Sequence, residues 1–184
     1  SDCIVTRDDE TKRFLEKRMN LYSHVLPMFG LKSKKIKKFE ELTTDELYMI
    51  LKVRNEVFIL EQTCPFLDCD DKDRKSFHMF LEEDNAVIAY CRLLPKGLAY
   101  KESSIGRVLV SKSYRGKDLA KQLMEKGINF ILNNMKEREI KIQAQAYLFK
   151  FYSSFGFTPI SEEYLEDNIP HIDMIYRIWY YYLK

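Results

Sequence analysis

Cysteine is scarce. Cys3, Cys64, Cys69 and Cys91 are too few and too scattered in 184 residues to brace the domain, which excludes the disulfide framework of a small secreted fold. Free thiols are expected. Long apolar runs are also missing. The longest, such as 86–91, falls far short of the roughly 18 to 20 residues of a membrane helix. No charged-then-apolar leader opens the chain. Net charge is nearly absent, at +2 with 32% charged residues, and gives no reason to expect nucleic acid or an anionic membrane as partner. There is no internal repeat, no low-complexity tract and no serine in a Gly-x-Ser-x-Gly elbow. These absences describe a soluble, cytoplasmic protein. Ser1, with no methionine ahead of it, is expected of a trimmed chain or an excised domain.

A chain that is 46% hydrophobic has material for a core, and a domain of this size can bury roughly 70% of its unfolded surface. Two parts are expected. Residues 1–35 are strongly charged, with Leu15, Met19, Tyr22 and Leu26 at near-helical spacing. They form an extension that packs on the domain or the end of an upstream one. Residues 36–184 form the domain itself. Lys32, Lys34, Lys35, Lys37 and Lys38 surround Ile36; they either meet phosphates or make a solvated edge leading into a first strand at 36–39.

Thr43 precedes Glu46 by three residues, the signature of a reciprocal N-terminal cap. A helix should follow, its apolar face carried by Leu47, Ile50, Leu51, Val57 and Phe58 and interrupted by Arg54. An acidic, proline-containing loop spans 61–74. Strand-like runs at 77–81 and 87–94 flank Asp84-Asn85, a pair tolerant of positive φ, and so predict a hairpin. A strand at 105–110 leads into a helix marked by Leu119, Leu123, Met124, Ile128 and Ile131. After it come a strand at 140–144, a short helix at 147–155 stopped by Gly156, and strands at 157–160 and 172–182. This order predicts an α/β fold: a mixed, partly parallel sheet covered by helices on both faces.

The apolar strand that runs into Tyr114-Arg115-Gly116-Lys117-Asp118-Leu119-Ala120 is the most suggestive segment. A helix N-terminus presents unpaired N–H groups and partial positive charge, so this turn can hold a diphosphate, and Arg115 adds a forked donor. An ordinary structural turn is the alternative. Cys64, Cys69, Asp68, Asp70, Asp73 and His78 raise the question of a metal. Their spacing suits neither structural zinc nor a calcium loop, since Lys72 and Met79 fall where calcium ligands belong, so no metal is expected. A bland acidic loop, or an attractor for a cationic acceptor, is the remaining reading. Cys64 is a poor nucleophile candidate, because its acidic neighbours disfavour a thiolate.

Taken in order, Ile105-Gly106-Arg107-Val108, Arg115-Gly116, Ala144-Gln145-Ala146, Phe151-Tyr152, Phe155-Gly156-Phe157 and 166–172 resemble the GNAT superfamily of N-acyltransferases, and within it the ElaA-like branch. Arg54, Val57-Phe58, Glu61-Gln62, Cys64-Pro65 and Asp68 fit that branch too, and the resemblance spans about 39–174. It implies a sheet whose central parallel strands splay to admit acetyl-coenzyme A, and acyl transfer to a small-molecule or protein amine in a ternary complex. A second copy of the chain and an upstream domain are further candidate partners.

The resemblance implies that Val108, Leu109 and Val110 pair with the pantetheine arm and stabilise the oxyanion. Backbone groups of Arg115, Gly116, Lys117, Asp118, Leu119 and Ala120 would receive the diphosphate. Asp118 stands where the family usually has glycine, and its carboxylate should weaken binding. Tyr152 matches the tyrosine that protonates the departing thiolate, unless it is a core aromatic. A lysine-like amine, with a pKa near 10.4, must also lose a proton before attack. Glu61, Asp70, Asp73, His78 and His171 are the candidate base or acceptor-binding groups, with Glu61 and His171 foremost; ordinary structural roles are their alternative. A non-catalytic acyl-coenzyme A binding or protein-interaction module on the same fold is the rival reading.

Overall fold

The computed structural model describes residues 33–178, so the expectations for 1–32 and for Trp179, Tyr180, Tyr181 and Tyr182 fall outside the described residues. The elements are β1 (Ser33–Lys38), α1 (Thr44–Arg54) continued by a π-helical segment (Asn55–Glu61), β2 (Phe77–Glu83), β3 (Ala86–Leu94), β4 (Ser103–Val110), α2 (Leu119–Asn133), β5 (Glu139–Gln145), α3 (Phe149–Ser153), β6 (Thr158–Pro159), β7 (Tyr164–Glu166) and β8 (Ile169–Arg177). They make one eight-stranded sheet in the order β1-β2-β3-β4-β5-β8-β6, with β7 also on β8. Among the described residues, β4 and β5 are the one neighbouring pair that runs parallel. Among the described residues, no helix is long and apolar enough to cross a membrane.

Local chemistry accounts for most of these boundaries. The Glu46 N–H donates to Thr43 Oγ1 at 3.1 Å and the Thr43 N–H to Glu46 Oε2 at 3.0 Å, the reciprocal cap that starts α1. Glu46 also accepts from Lys35 and Lys37 at 2.8 Å each, and Lys35 reaches Glu82 at 2.7 Å. Part of the lysine cluster therefore fastens the edge strand β1. Burial would raise the Glu46 pKa, but these bonds hold it down at about 2. The β2–β3 hairpin turns on Asp84 and Asn85 at φ 50° and 60°, and the same dipeptide, Asp167-Asn168, turns β7 into β8 at 49° and 61°.

Side chains from the two faces of the sheet make two cores. Ile50, Val53 and Val57 pack with Phe80, Val87, Tyr90 and Leu109 on one side. On the other, α2 crosses so closely that a methyl group on Gly127 would meet Leu93 at 3.1 Å and Ile105 at 3.3 Å. In an unbroken strand Ile105 and Leu109 would share a face. An extra residue, Arg107 at φ 53°, falls where the β3–β4 register shifts, so Ile105 pairs with Leu93 and Leu109 with Tyr90. This bulge splits β4 between the two cores.

Arg54, which interrupts the apolar pattern of α1, is fully buried. Its Nε donates to Asp68 Oδ2 at 2.8 Å, Nη1 to Asp73 Oδ1 at 2.7 Å and Nη2 to the Asp68 carbonyl at 2.9 Å. Arg92 grips both Asp70 oxygens at 2.6 and 2.8 Å and Asp73 at 2.8 Å, and Arg107 Nε reaches Asp68 at 2.6 Å. Three guanidinium groups thus answer three carboxylates. His78, also fully buried, lies beside them. Its Nε2–H donates to the Asp73 carbonyl at 3.0 Å, leaving Nδ1 to accept from the Tyr90 hydroxyl at 2.9 Å.

Removing one partner of a buried ion cluster strands the others. Arg54→Met should lower stability by about 3 to 5 kcal/mol in urea unfolding at pH 7.

The pH profile should show two steps. Burial depresses the His78 pKa, so below about 6.5 the unfolded chain binds more protons and stability falls with falling pH. Asp70 and Asp73 would be raised by burial, but bonds to Arg92 and Arg54 win and depress them. Their contribution, with that of Glu46, is present above about pH 4 and is lost as the carboxylates protonate in the fold. Urea midpoints between pH 3 and 8 check this, and His78→Gln should flatten the upper step only.

Candidate active site

β4 and β5 pair only at Ser103/Ile140 and Ser104/Lys141. Among the described residues the β5-facing edge of β4 has no strand partner beyond Ser104, and a cleft of about 790 Å³ opens between the two strands. One wall is Ile105 to Val110 and the turn into α2. The other carries Ile142, Gln143, Gln145, Tyr147, Phe151, Tyr152 and His171, and Val57, Phe58, Glu61, Gln62, Cys64 and Phe66 line it as well.

Most residues singled out from the sequence meet here: Val108, Leu109, Val110, Arg115, Gly116, Asp118, Leu119, Ala120, Tyr152, His171 and Glu61 all line the cleft. Lys117 is not among the lining residues; its ammonium sits 4.8 Å from the centre of the Tyr114 ring. Asp70, Asp73 and His78, considered above as acceptor-side groups, are absent from the lining as well. The ion cluster holds the two aspartates, and the imidazole has both nitrogens engaged in the core. Arginines pair with three acids of this loop, Asp68, Asp70 and Asp73.

The turn into α2 owes its shape to two left-handed residues. Gly116 has φ 75° with open space where a side chain would stand, so conformation rather than room calls for glycine. Asp118, the residue before the helix, has φ 56° and no side-chain capping bond. That explains how a carboxylate occupies a position where glycine is usual: aspartate is among the few residues that tolerate this backbone. The first N–H groups of α2 have no partner within the helix, and Leu119 and Ala120 at its start face the cleft.

Arg115 is already engaged. Its Nε donates to the Val110 carbonyl at 3.0 Å and its Nη2 to Glu61 Oε2 at 2.6 Å. The phosphate-binding candidate and a candidate base are therefore each other's partner. Next along the chain, Gln62 accepts from Gln145 Nε2 at 3.3 Å.

Tyr152 is 8% exposed, packed edge-on against Phe151 and Phe157 at 5.2 and 6.2 Å. Burial raises its pKa and keeps the phenol protonated. His171 Nδ1–H donates to the Ile169 carbonyl at 2.8 Å, which leaves the Nε2 lone pair of the neutral ring as its acceptor. The Tyr164 ring stacks on it with centroids 6.4 Å apart. The Tyr164 hydroxyl in turn donates to Asp173 at 2.6 Å and accepts from Gln143 at 2.7 Å.

Tyr164, Gln143 and the bulge residue Arg107 were not singled out from the sequence as site residues. For Arg107 the available signal was a charge inside an apolar strand. For Tyr164 it was the second Asp-Asn turn, which marks the unpredicted strand β7.

Residues 66–178 match the family described as "Acetyltransferase (GNAT) domain". The chain is 38% identical over 136 residues to the protein ElaA of Escherichia coli, covering 73% of this chain and 89% of ElaA. The crystal structure of E. coli ElaA superposes with a TM-score of 0.73 at 37% identity, over 78% of this chain and 98% of that one. An acyl-CoA N-acyltransferase from Pseudomonas aeruginosa superposes at 0.75 with 36% identity, over 78% and 97% of the two chains.

Asp118→Gly should remove left-handed strain of about 1 kcal/mol, which glycine's extra unfolded freedom partly offsets. The melting temperature should hold or rise slightly. Coenzyme A affinity by calorimetry should improve by up to about tenfold as a carboxylate leaves the helix N-terminus. Weaker binding would show instead that this carboxylate organises the turn.

Proposed function

The chain belongs to the GNAT acetyltransferase family, in the branch of ElaA, and from that premise we propose that it moves an acetyl group from acetyl-coenzyme A directly to an amine in one ternary complex. The observation that carries this reading is the split between β4 and β5, with Tyr152 and His171 both on the cleft it opens.

The site suits the cofactor on features of the protein alone. The unpaired edge of β4 offers backbone donors and acceptors to an amide-bearing arm. The α2 N-terminus, beside Arg115 and Lys121, offers N–H groups and positive charge to a diphosphate. When bound, acetyl-coenzyme A supplies the activated acyl group as a thioester.

The protein's own contribution is position and proton movement. The N–H groups on the open edge of β4, at Val108 and Val110, are fixed donors for a carbonyl oxygen that gains negative charge, and being pre-set they need no reorganisation. Leu109 between them turns its N–H to β3, where it pairs with Tyr90. Tyr152, kept protonated by burial, donates its hydroxyl proton toward a departing sulfur. His171, with its tautomer set by Ile169, takes the proton of the attacking amine at Nε2. Glu61, tied to Arg115, is the weaker candidate base.

Tyr152→Phe keeps the ring and its packing but removes the proton, so coenzyme A affinity and melting temperature should hold. Single-turnover acetyl transfer should fall by roughly 10²-fold or more. His171→Gln should lower kcat/KM across a panel of amines by roughly 10²-fold while coenzyme A affinity holds. A protein that binds coenzyme A yet transfers acetyl to none of them would be the binding module instead.

A further inference from the structure

Glu61 and Gln62 lie where the π-helical segment Asn55–Glu61 ends, and they reach both sides of the cleft. Glu61 takes Arg115 Nη2 at 2.6 Å, and Arg115 is itself bonded to the last carbonyl of β4. Gln62 takes Gln145 at the end of β5. Two consecutive residues thus span the opening where β4 and β5 have separated.

The Arg115–Glu61 tie uses the same guanidinium that the proposed function assigns to a diphosphate, and the present inference rests on that reading. A diphosphate is doubly charged or more and matches a guanidinium fork better than a single carboxylate does. A carboxylate left on the same fork would be a like charge about 5 to 6 Å away. The Arg115 and Glu61 side chains are 46% and 31% exposed, so water screens their pair and it breaks at little expense.

We propose that the Arg115–Glu61 pair is an exchangeable latch: the cofactor diphosphate displaces the Glu61 carboxylate from Arg115. Glu61 then faces the cleft as a free anion and the Glu61–Gln62 strap loses its tie to the β4 side. Glu61 is in this sense a positioning residue. It competes with cofactor for Arg115, and its charge is withheld from the acceptor side of the cleft until the cofactor is in place.

The test is a double-mutant cycle on coenzyme A affinity by calorimetry. Glu61→Gln keeps the shape and removes the competing charge. It should tighten coenzyme A at least threefold, and that gain should vanish in an Arg115→Gln background. Glu61→Asp, which shortens the reach, should give part of the gain and serves if the glutamine variant fails to fold. If Arg115→Gln weakens binding but neither Glu61 variant tightens it, the latch is overturned and the cofactor site stands. An Arg115→Gln variant that binds as the parent does overturns the latch and the assignment of Arg115 to the diphosphate together.

Discussion

The cluster of Arg54, Arg92 and Arg107 with Asp68, Asp70 and Asp73 joins four parts of the chain at one buried point. It ties the end of α1, the acidic loop, the middle of β3 and the bulge of β4. Such a cluster is a weak source of net stability, because removing six charges from water offsets most of their attraction. What it imposes is geometry. Arg92 donates bidentately to Asp70, which fixes the direction of approach, and Asp68, held at Oδ2 by Arg54 and at Oδ1 by Arg107, fixes the loop against β4. Phe58 and Phe66 flank the Arg107 guanidinium, at 5.9 and 5.3 Å from their ring centres, and both line the cleft. One wall of the cleft is therefore shaped by electrostatics beneath it.

This arrangement explains where the sequence reading succeeds and where it stops. The capping box at Thr43, the Asp84-Asn85 hairpin and the alternation of strands and helices are local patterns, and local physics sets them. Neither the pairing of three arginines with three aspartates nor their burial is local. Taken singly, Asp70 and Asp73 read as solvent-facing acids and His78 as an available imidazole, because nothing within a few residues announces partners from β3, β4 and α1. Arg54 was the visible clue: a charge on the apolar face of a helix needs a buried answer. Val108, Leu109 and Val110 came from the family resemblance and the turn at Arg115 from a basic, glycine-containing segment ahead of a helix, and all of them line the cleft.

The catalytic candidates sit on the other arm, and local packing rather than charge fixes them. Aromatic edges hold Tyr152, and His171 is oriented by a carbonyl two residues back in its own strand and by the Tyr164 ring. The Tyr164 hydroxyl is fastened to Asp173, which also takes Lys141 at 2.7 Å. The two walls thus have separate supports, ionic on the β4 side and aromatic on the β5–β8 side. They meet at two residue pairs of parallel strand. Small relative movements of the arms need not disturb either support.

An interrupted sheet also bears on how the molecule avoids sticking to its own kind. Unpaired strand edges recruit other strands and seed aggregates. The outer borders here are poor templates: β1 is studded with lysine, and β6 is two residues long and contains Pro159. The long open edge of β4 is inward-facing, recessed between walls that leave a channel rather than a flank. A second polypeptide carrying side chains on both faces of its backbone would have to enter that channel edgewise. The fold keeps an available hydrogen-bonding edge, the feature most hazardous in a β-protein, inside a cleft rather than on an outer border of the sheet.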